Sequence, residues 1–354
     1  MIPHLPFASL LLASPLAANE VLVVAETAGP GVDHTSIDAA LIFAADGDIV
    51  LVRPGAYSIA TTPSVPVDGK AVMLVADGAV TVDGAIAVQN LDATRTFSMR
   101  GFTSAQGLAL TATACSGVVW VEDCDLGNAF SFPDVILSVF SSASNVNLLR
   151  TTYLAGATTS LDSQLNVYDC DFAGESLGHP GSYDIPLFLN GGSLFASGSS
   201  FASSFEGIIL DLVVINDPTL FLLEPIADDL PPATLLPGPA RSYHADATVR
   251  EGQPLSLTVD GEPGDFVFVF ASKTPLSSTL PIYSGALMMA PSNAPLFLGA
   301  LPPSGTLQTS VTMPQLPPGV EGSVFYSQAV FFEEVGGTPI LGPASMVVLL
   351  DGSL

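Results

Sequence analysis

The sequence predicts an all-β chain, a parallel β-solenoid followed by a smaller antiparallel β-sandwich. Three observations carry this. First, eight stretches share one spacing: an apolar residue, another two on, a usually small residue three on, and a further one two on. They start at Val50, Val72, Phe97, Val119, Val146, Leu165, Leu194 and Val213, so successive starts are 22, 25, 22, 27, 19, 29 and 19 residues apart. Recurrence at this period marks stacked coils. Second, turn formers are abundant (32 Gly, 29 Pro) while long helical patterns are nearly absent, which favours strands and turns. Third, the repeat stops after a Pro-rich segment, and strands of ordinary length follow.

In chain order, Phe7 to Ala18 is apolar and ends in small residues, the pattern of a secretory signal over residues 1–18. The expected location is therefore secreted, extracellular or at the cell surface. Val21 to Ala25 reads as a first strand. Ser36 reads as an N-cap, with Ile37, Ala40, Leu41 and Ala44 on one helical face and Gly47 as the stop. Such a helix would cover the open edge of the first coil. The solenoid is expected over residues 19–224, with about eight coils. In each coil the first and third residues should point inward and the second and fourth outward. The fifth column runs Pro54, Ala76, Gly101, Asp123, Arg150, Asp169, Gly198 and Asp217, and Gly and Asp suit a bend. The longest excursions, residues 127–145 and 173–193, should be loops. Residues 225–239 read as a semi-rigid linker. Residues 240–354 read as a sandwich of the immunoglobulin or fibronectin III kind. Its strands are expected at Leu255–Val259, Phe266–Ala271, Thr306–Met313, Val324–Phe332 and Ser345–Leu350.

The segment Ser36-Ile37-Asp38-Ala39-Ala40, followed by Gly47-Asp48-Ile49-Val50-Leu51-Val52-Arg53-Pro54-Gly55-Ala56-Tyr57, resembles the opening of right-handed parallel β-helix proteins of the pectin-lyase-like type. Val119 to Leu126 and Leu165 to Phe172 resemble their later repeats. The resemblance covers roughly residues 20–223 and implies a right-handed, single-stranded parallel β-helix with a cap helix. It implies no one activity, since the type includes lyases, hydrolases, epimerases and adhesins.

Composition excludes several functions. Eight Lys and Arg stand against 34 Asp and Glu, a net charge of −26. Such a surface repels phosphate backbones, so nucleic acid is not an expected partner. It also favours a soluble monomer. The apolar run from Ile208 to Leu223 carries Asp211 and Asp217, so membrane insertion is not expected. Cys124 and Cys170 share a column with Thr151 between them. Coils stack at about 4.8 Å, so the two lie roughly 9.6 Å apart, beyond the ~7 Å a disulfide allows. No bridge is expected between them.

Asp123, Arg150 and Asp169 should stack on consecutive coils at the bend. In calcium-dependent polysaccharide lyases of the resembling type, carboxylates hold the metal and an Arg or Lys is the base. Here an Arg between two Asp has its charged form stabilised, the wrong direction for a base. A charge ladder at a turn is the expected role. Asp125 and Asp171 share an outward column with Thr152 between them, at a spacing that sits at the upper edge for an inverting glycosidase; solvated turn carboxylates are the expected role. Calcium could bind at Asp123/Asp125 or Asp169/Asp171. Trp120, Asn147, Asn166 and Tyr168 lie in neighbouring outward columns, a combination that suits stacking on sugar rings; the alternative is an indole covered by a neighbouring loop. Together these features predict an exported non-catalytic protein that binds an extracellular polysaccharide or cell-surface component. The alternatives are a divergent lyase, epimerase or hydrolase acting on an extracellular glycan, and a structural module of a surface assembly.

Overall fold

The computed structural model describes residues 20–60, 65–105, 107–127, 137–154, 157–161, 163–174, 187–190, 192–203, 212–215, 219–222, 234–235, 240–280, 282–290, 295–333 and 336–354. The expected signal, residues 175–186 of the second expected excursion and most of the expected linker lie outside these residues. The chain forms two compact units, one spanning Leu22–Leu236 and the other including Pro237–Leu354.

The first unit is a parallel β-solenoid of about five turns. Three sets of parallel pairings define its faces. The first face stacks Val118–Glu122 on Thr96–Thr103, then Asn145–Leu149, Gln164–Tyr168 and Ser193–Ser197. The second face stacks Asp125–Gly127, Thr152–Leu154, Asp171–Gly174 and Ser200–Ser203. The third includes Leu108–Thr113, Leu137–Ser142, Ala157–Leu161, Leu187–Asn190 and Leu212–Ile215.

The predicted columns hold from Phe97 to Leu194, which pair serially through Val119, Val146 and Leu165. Two starts move. Val50 pairs with Leu74 rather than Val72; the shift is two residues, so the inward face is preserved. Val213 lies on the third face, opposite Phe188, and the partner of Leu194 is Leu220. Short apolar runs on two faces of one coil carry the same period-two signal, so the spacing alone did not separate them.

The inward residues form one continuous core from Val24 and Val50 through Phe97, Val119 and Val146 to Leu165 and Leu194. Helix Ile37–Phe43 closes its first end. The Ser36 hydroxyl accepts from the Ala39 N–H at 3.3 Å, and Ile37, Ala40 and Leu41 are buried. Lys70 Nζ donates to the carbonyls of Leu41, Ile42 and Ala44 at 2.9, 3.1 and 3.0 Å. It thereby satisfies acceptors that a helix end leaves open.

The corner between the first and second faces is made by one column in the left-handed region. Gly101, Asp123, Arg150, Asp169 and Gly198 have φ of 87°, 51°, 47°, 51° and 60°. The bend predicted at this column is thus present, with side chains on three of the five positions. Ala76 does not share it. It sits in the long strand Met73–Gln89, and the positive φ of that coil falls at Gly78. A second left-handed column, Gly69, Asn90, Ala114 and Ala143, follows the third-face strands.

The second unit is also all β. Ser242–Ala245, Pro254–Asp260 and Thr306–Thr312 form an antiparallel sheet. A second sheet runs in the order Thr248–Arg250, Ile340–Leu350, Gly322–Phe332, Phe266–Ser272 and Leu296–Ala300. Both sheets supply one core that includes Tyr243, Leu257, Val259, Val267, Phe325 and Val347. The five predicted strands are present. The hairpin Pro275–Thr279/Ala286–Met289 is held to the second sheet by Gln328. Its side chain accepts from Met288 N–H and donates to the carbonyls of Ala286 and Gly342.

Candidate functional site

Sequence register brings Asp123, Arg150 and Asp169 onto consecutive coils, as expected. Their N–H groups donate in series to Leu149 O, Tyr168 O and Ser197 O at 3.0, 2.8 and 3.0 Å. The side chains do not form a simple three-rung ladder. Arg100 and Glu122, one position earlier in the repeat, complete a four-membered cluster. Arg100 Nη2 lies 2.7 Å from Asp123 Oδ2, and its Nη1 lies 3.1 Å from Glu122 Oε1. Arg150 Nε donates to Asp123 Oδ1 at 2.8 Å, and its Nη2 donates to Glu122. Two cations and two anions thus balance across three coils. Arg100 and Glu122 are wholly buried, while the Asp123 and Arg150 side chains are 26% and 16% exposed.

Burial by itself pushes the Arg150 guanidinium down, but the charges of Glu122, Asp123 and Asp169 overturn this and hold it above its ordinary value. Arg150 therefore stays protonated and cannot serve as a base. Both oxygens of Asp123 accept from guanidinium groups, so a calcium ion there would have to displace two arginines. The carboxylate does not fit the proposed metal role. Among the described residues, no three His, Cys, Asp or Glu side chains are grouped to hold a metal ion. Asp169 sits at the next corner, where Gly198 keeps the space open: a Cβ at Gly198 would collide with the Asp169 carboxylate.

Trp120, Asn147 and Asn166 are register partners, and Tyr168 shares the neighbouring column with Leu149 and Glu122. The predicted alignment is correct. Their exposure is not: all four are buried. The indole N–H of Trp120 donates to Glu122 Oε2 at 2.8 Å, two residues along the same face. Asn166 donates to Asn147 at 2.7 Å, and Tyr168 packs on Phe195 with ring centroids 5.0 Å apart. The ring and amides bind one another and their neighbours, so these residues do not form an open sugar-stacking face.

Asp125, Thr152 and Asp171 are register partners on the second face. Asp171 is exposed, and Asp125 and Thr152 are partly so. Of the predicted site residues, Asp171 faces solvent most openly.

Cys124, Thr151 and Cys170 stand in one file: Thr152 N–H donates to Cys124 O, and Asp171 N–H donates to Thr151 O. Cys124, Cys170 and the remaining cysteine, Cys115, are free and buried. Desolvation pushes the Cys124 and Cys170 thiols up to about 12.

Glu122 and Arg100 were not singled out from the sequence, although a signal was present. The same repeat alignment sets them one above the other at the fourth position of adjacent coils.

No protein-family model matches the chain, and no curated protein matches it. Among solved structures, a superoxide reductase (neelaredoxin) from Ignicoccus hospitalis is similar over 31% of this chain and 80% of its own. Identity is 12% and the TM-score 0.18, too low to carry a structural or functional argument. No helix among the described residues is long and apolar enough to cross a membrane.

Proposed function

We propose that this is an exported, non-catalytic, modular protein that binds an extracellular polysaccharide or cell-surface component. The observation that carries the reading is the closed charge cluster. Arg100, Glu122, Asp123 and Arg150 neutralise one another, so the residues best placed for chemistry hold the corner together. The solvent-facing Asp125–Thr152–Asp171 column supplies hydroxyl and carboxylate groups for neutral sugar hydroxyls. In this reading the solenoid is a right-handed pectin-lyase-like helix. In the same reading it has eight coils, the five-turn stack being continued by first-face strands at Ile49, Met73 and Thr219. The second unit is a sandwich, supported by two sheets sharing one core.

The test is incubation with pectin, alginate and neutral glycans, with and without calcium, alongside glycan-array binding. Binding without new unsaturated or reducing ends is expected, weakened in Asp125→Ala/Asp171→Ala. Appearance of new ends, abolished in a folded Arg150→Ala variant, would replace this reading with a divergent lyase or hydrolase.

A further inference from the structure

Two corners of the solenoid carry the same hydrogen-bond pattern, built on the residue that follows each left-handed position. At the first corner Asp123, Arg150, Asp169 and Gly198 are followed by Cys124, Thr151, Cys170 and Ser199. At the second, Ala114 and Ala143 are followed by Cys115 and Ser144. All six followers are Cys, Ser or Thr, and they include every cysteine of the chain. Each donates to the carbonyl two residues before it. Thr151 Oγ1 reaches Leu149 O at 3.0 Å, Ser199 Oγ reaches Ser197 O at 3.1 Å, and Ser144 Oγ reaches Ser142 O at 2.8 Å. The thiols of Cys124, Cys170 and Cys115 reach Glu122 O, Tyr168 O and Thr113 O at 3.2, 3.3 and 3.4 Å.

The same side chains accept from the preceding coil. Thr151 N–H donates to Cys170 Sγ at 3.5 Å, Cys170 N–H to Ser199 Oγ at 3.1 Å, and Cys115 N–H to Ser144 Oγ at 3.1 Å. Ser144 N–H continues to Ser163 Oγ at 3.1 Å. The backbone path explains the need. The N–H of the left-handed residue takes a carbonyl of the next coil: Arg150 N–H donates to Tyr168 O at 2.8 Å, and Ala114 N–H to Ser142 O at 2.9 Å. The N–H that follows is aimed at the same neighbouring coil, and there a side chain receives it. A buried N–H without an acceptor is costly. Cys, Ser and Thr can donate and accept at once, which Ala and Val cannot.

We infer that these side chains form two relays that hold successive coils together at the corners, and that the three thiols act in them as hydroxyl equivalents. Sulfur serves here as a two-way hydrogen-bonding group, not as filler alone. The first relay also underlies the outward column. Asp125, Thr152 and Asp171 each follow a relay residue, and Thr152 N–H and Asp171 N–H donate to Cys124 O and Thr151 O at 2.9 and 3.1 Å. The inference stands whether or not that column binds a glycan.

The test is amide-resolved hydrogen exchange on the full chain, with the amide of buried Val167 as internal reference. Cys170→Ala is expected to speed exchange of the Thr151 amide about tenfold relative to Val167, the effect of one lost hydrogen bond. Cys170→Ser should leave it nearly unchanged. At the other corner, Ser144→Ala should speed the Cys115 amide about tenfold and Ser144→Cys should not; this pair decides the matter if the Cys170 variants do not fold. An unchanged amide in either Ala variant overturns the inference. So does a Cys170→Ser variant as fast as Cys170→Ala, which would leave the thiol a role in packing alone. Exchange that rises equally at Thr151 and Val167 overturns it too, since global destabilisation would then be the cause.

Discussion

Glu122 is the residue on which the corner turns. It accepts from Arg100, Arg150 and the Trp120 indole while excluded from water. Removing one partner of a buried ionic network leaves the others uncompensated, at a cost of about 3–5 kcal/mol. Glu122→Ala is therefore expected to lose stability in that range by denaturant unfolding. Arg150→Ala should lose less, because its side chain is partly exposed and water can replace some of its contacts. Trp120→Ala is expected to cost about 3–5 kcal/mol as a cavity rather than to act on a ligand. The cysteines make a second prediction. Their folded thiols are raised to about 12, above the ordinary ~8.5 of an unfolded chain. The unfolded state thus releases protons first as pH rises. The stabilisation is fully present below the unfolded value, and is lost progressively between there and about pH 12. At pH 8 the native thiols should resist a disulfide-exchange reagent and react fully on unfolding, as followed by absorbance.

The turns and caps obey a different constraint, backbone geometry. Ala114 and Ala143 hold φ of 55° and 46°, a region that costs an L-residue about 1–2 kcal/mol. Ala143→Gly should raise stability by about 0.5–1 kcal/mol after the added freedom of the unfolded chain is subtracted. The opposite change at Gly192 should destabilise by more, because φ is 74° and a Cβ would strike the Ser163 carbonyl. At the helix, Ser36→Ala should cost about 1 kcal/mol. Thermal unfolding of the three variants checks the order. The bend column was legible in the sequence as Gly and Asp at the fifth position. The alanines of the other column were not, since nothing in an Ala marks a left-handed residue. The coil at Ala76 was misjudged because a continuous strand carries the chain past that position and bends it at Gly78.

For the molecule as a whole, the main electrostatic force outside the cores is self-repulsion among 34 acidic residues. Salt weakens it, since the screening length shortens to about 10 Å at 0.1 M. The midpoint of thermal unfolding is expected to rise as sodium chloride is increased from about 0.01 to 0.5 M. A midpoint independent of salt would show that repulsion is already offset locally.

The sequence by itself determined the stacking. A parallel coil repeats a local geometry, so identical spacing places Cys124, Thr151 and Cys170 in file, and Asp123, Arg150 and Asp169 at one corner, before any long-range contact is known. What covers a face, and which charges meet across it, depends on residues distant in the chain. Only the tertiary structure therefore decided that Trp120, Asn147, Asn166 and Tyr168 are buried. It alone showed that Arg100 and Glu122 close the charge cluster, and that the side chains after the left-handed corners relay hydrogen bonds between coils.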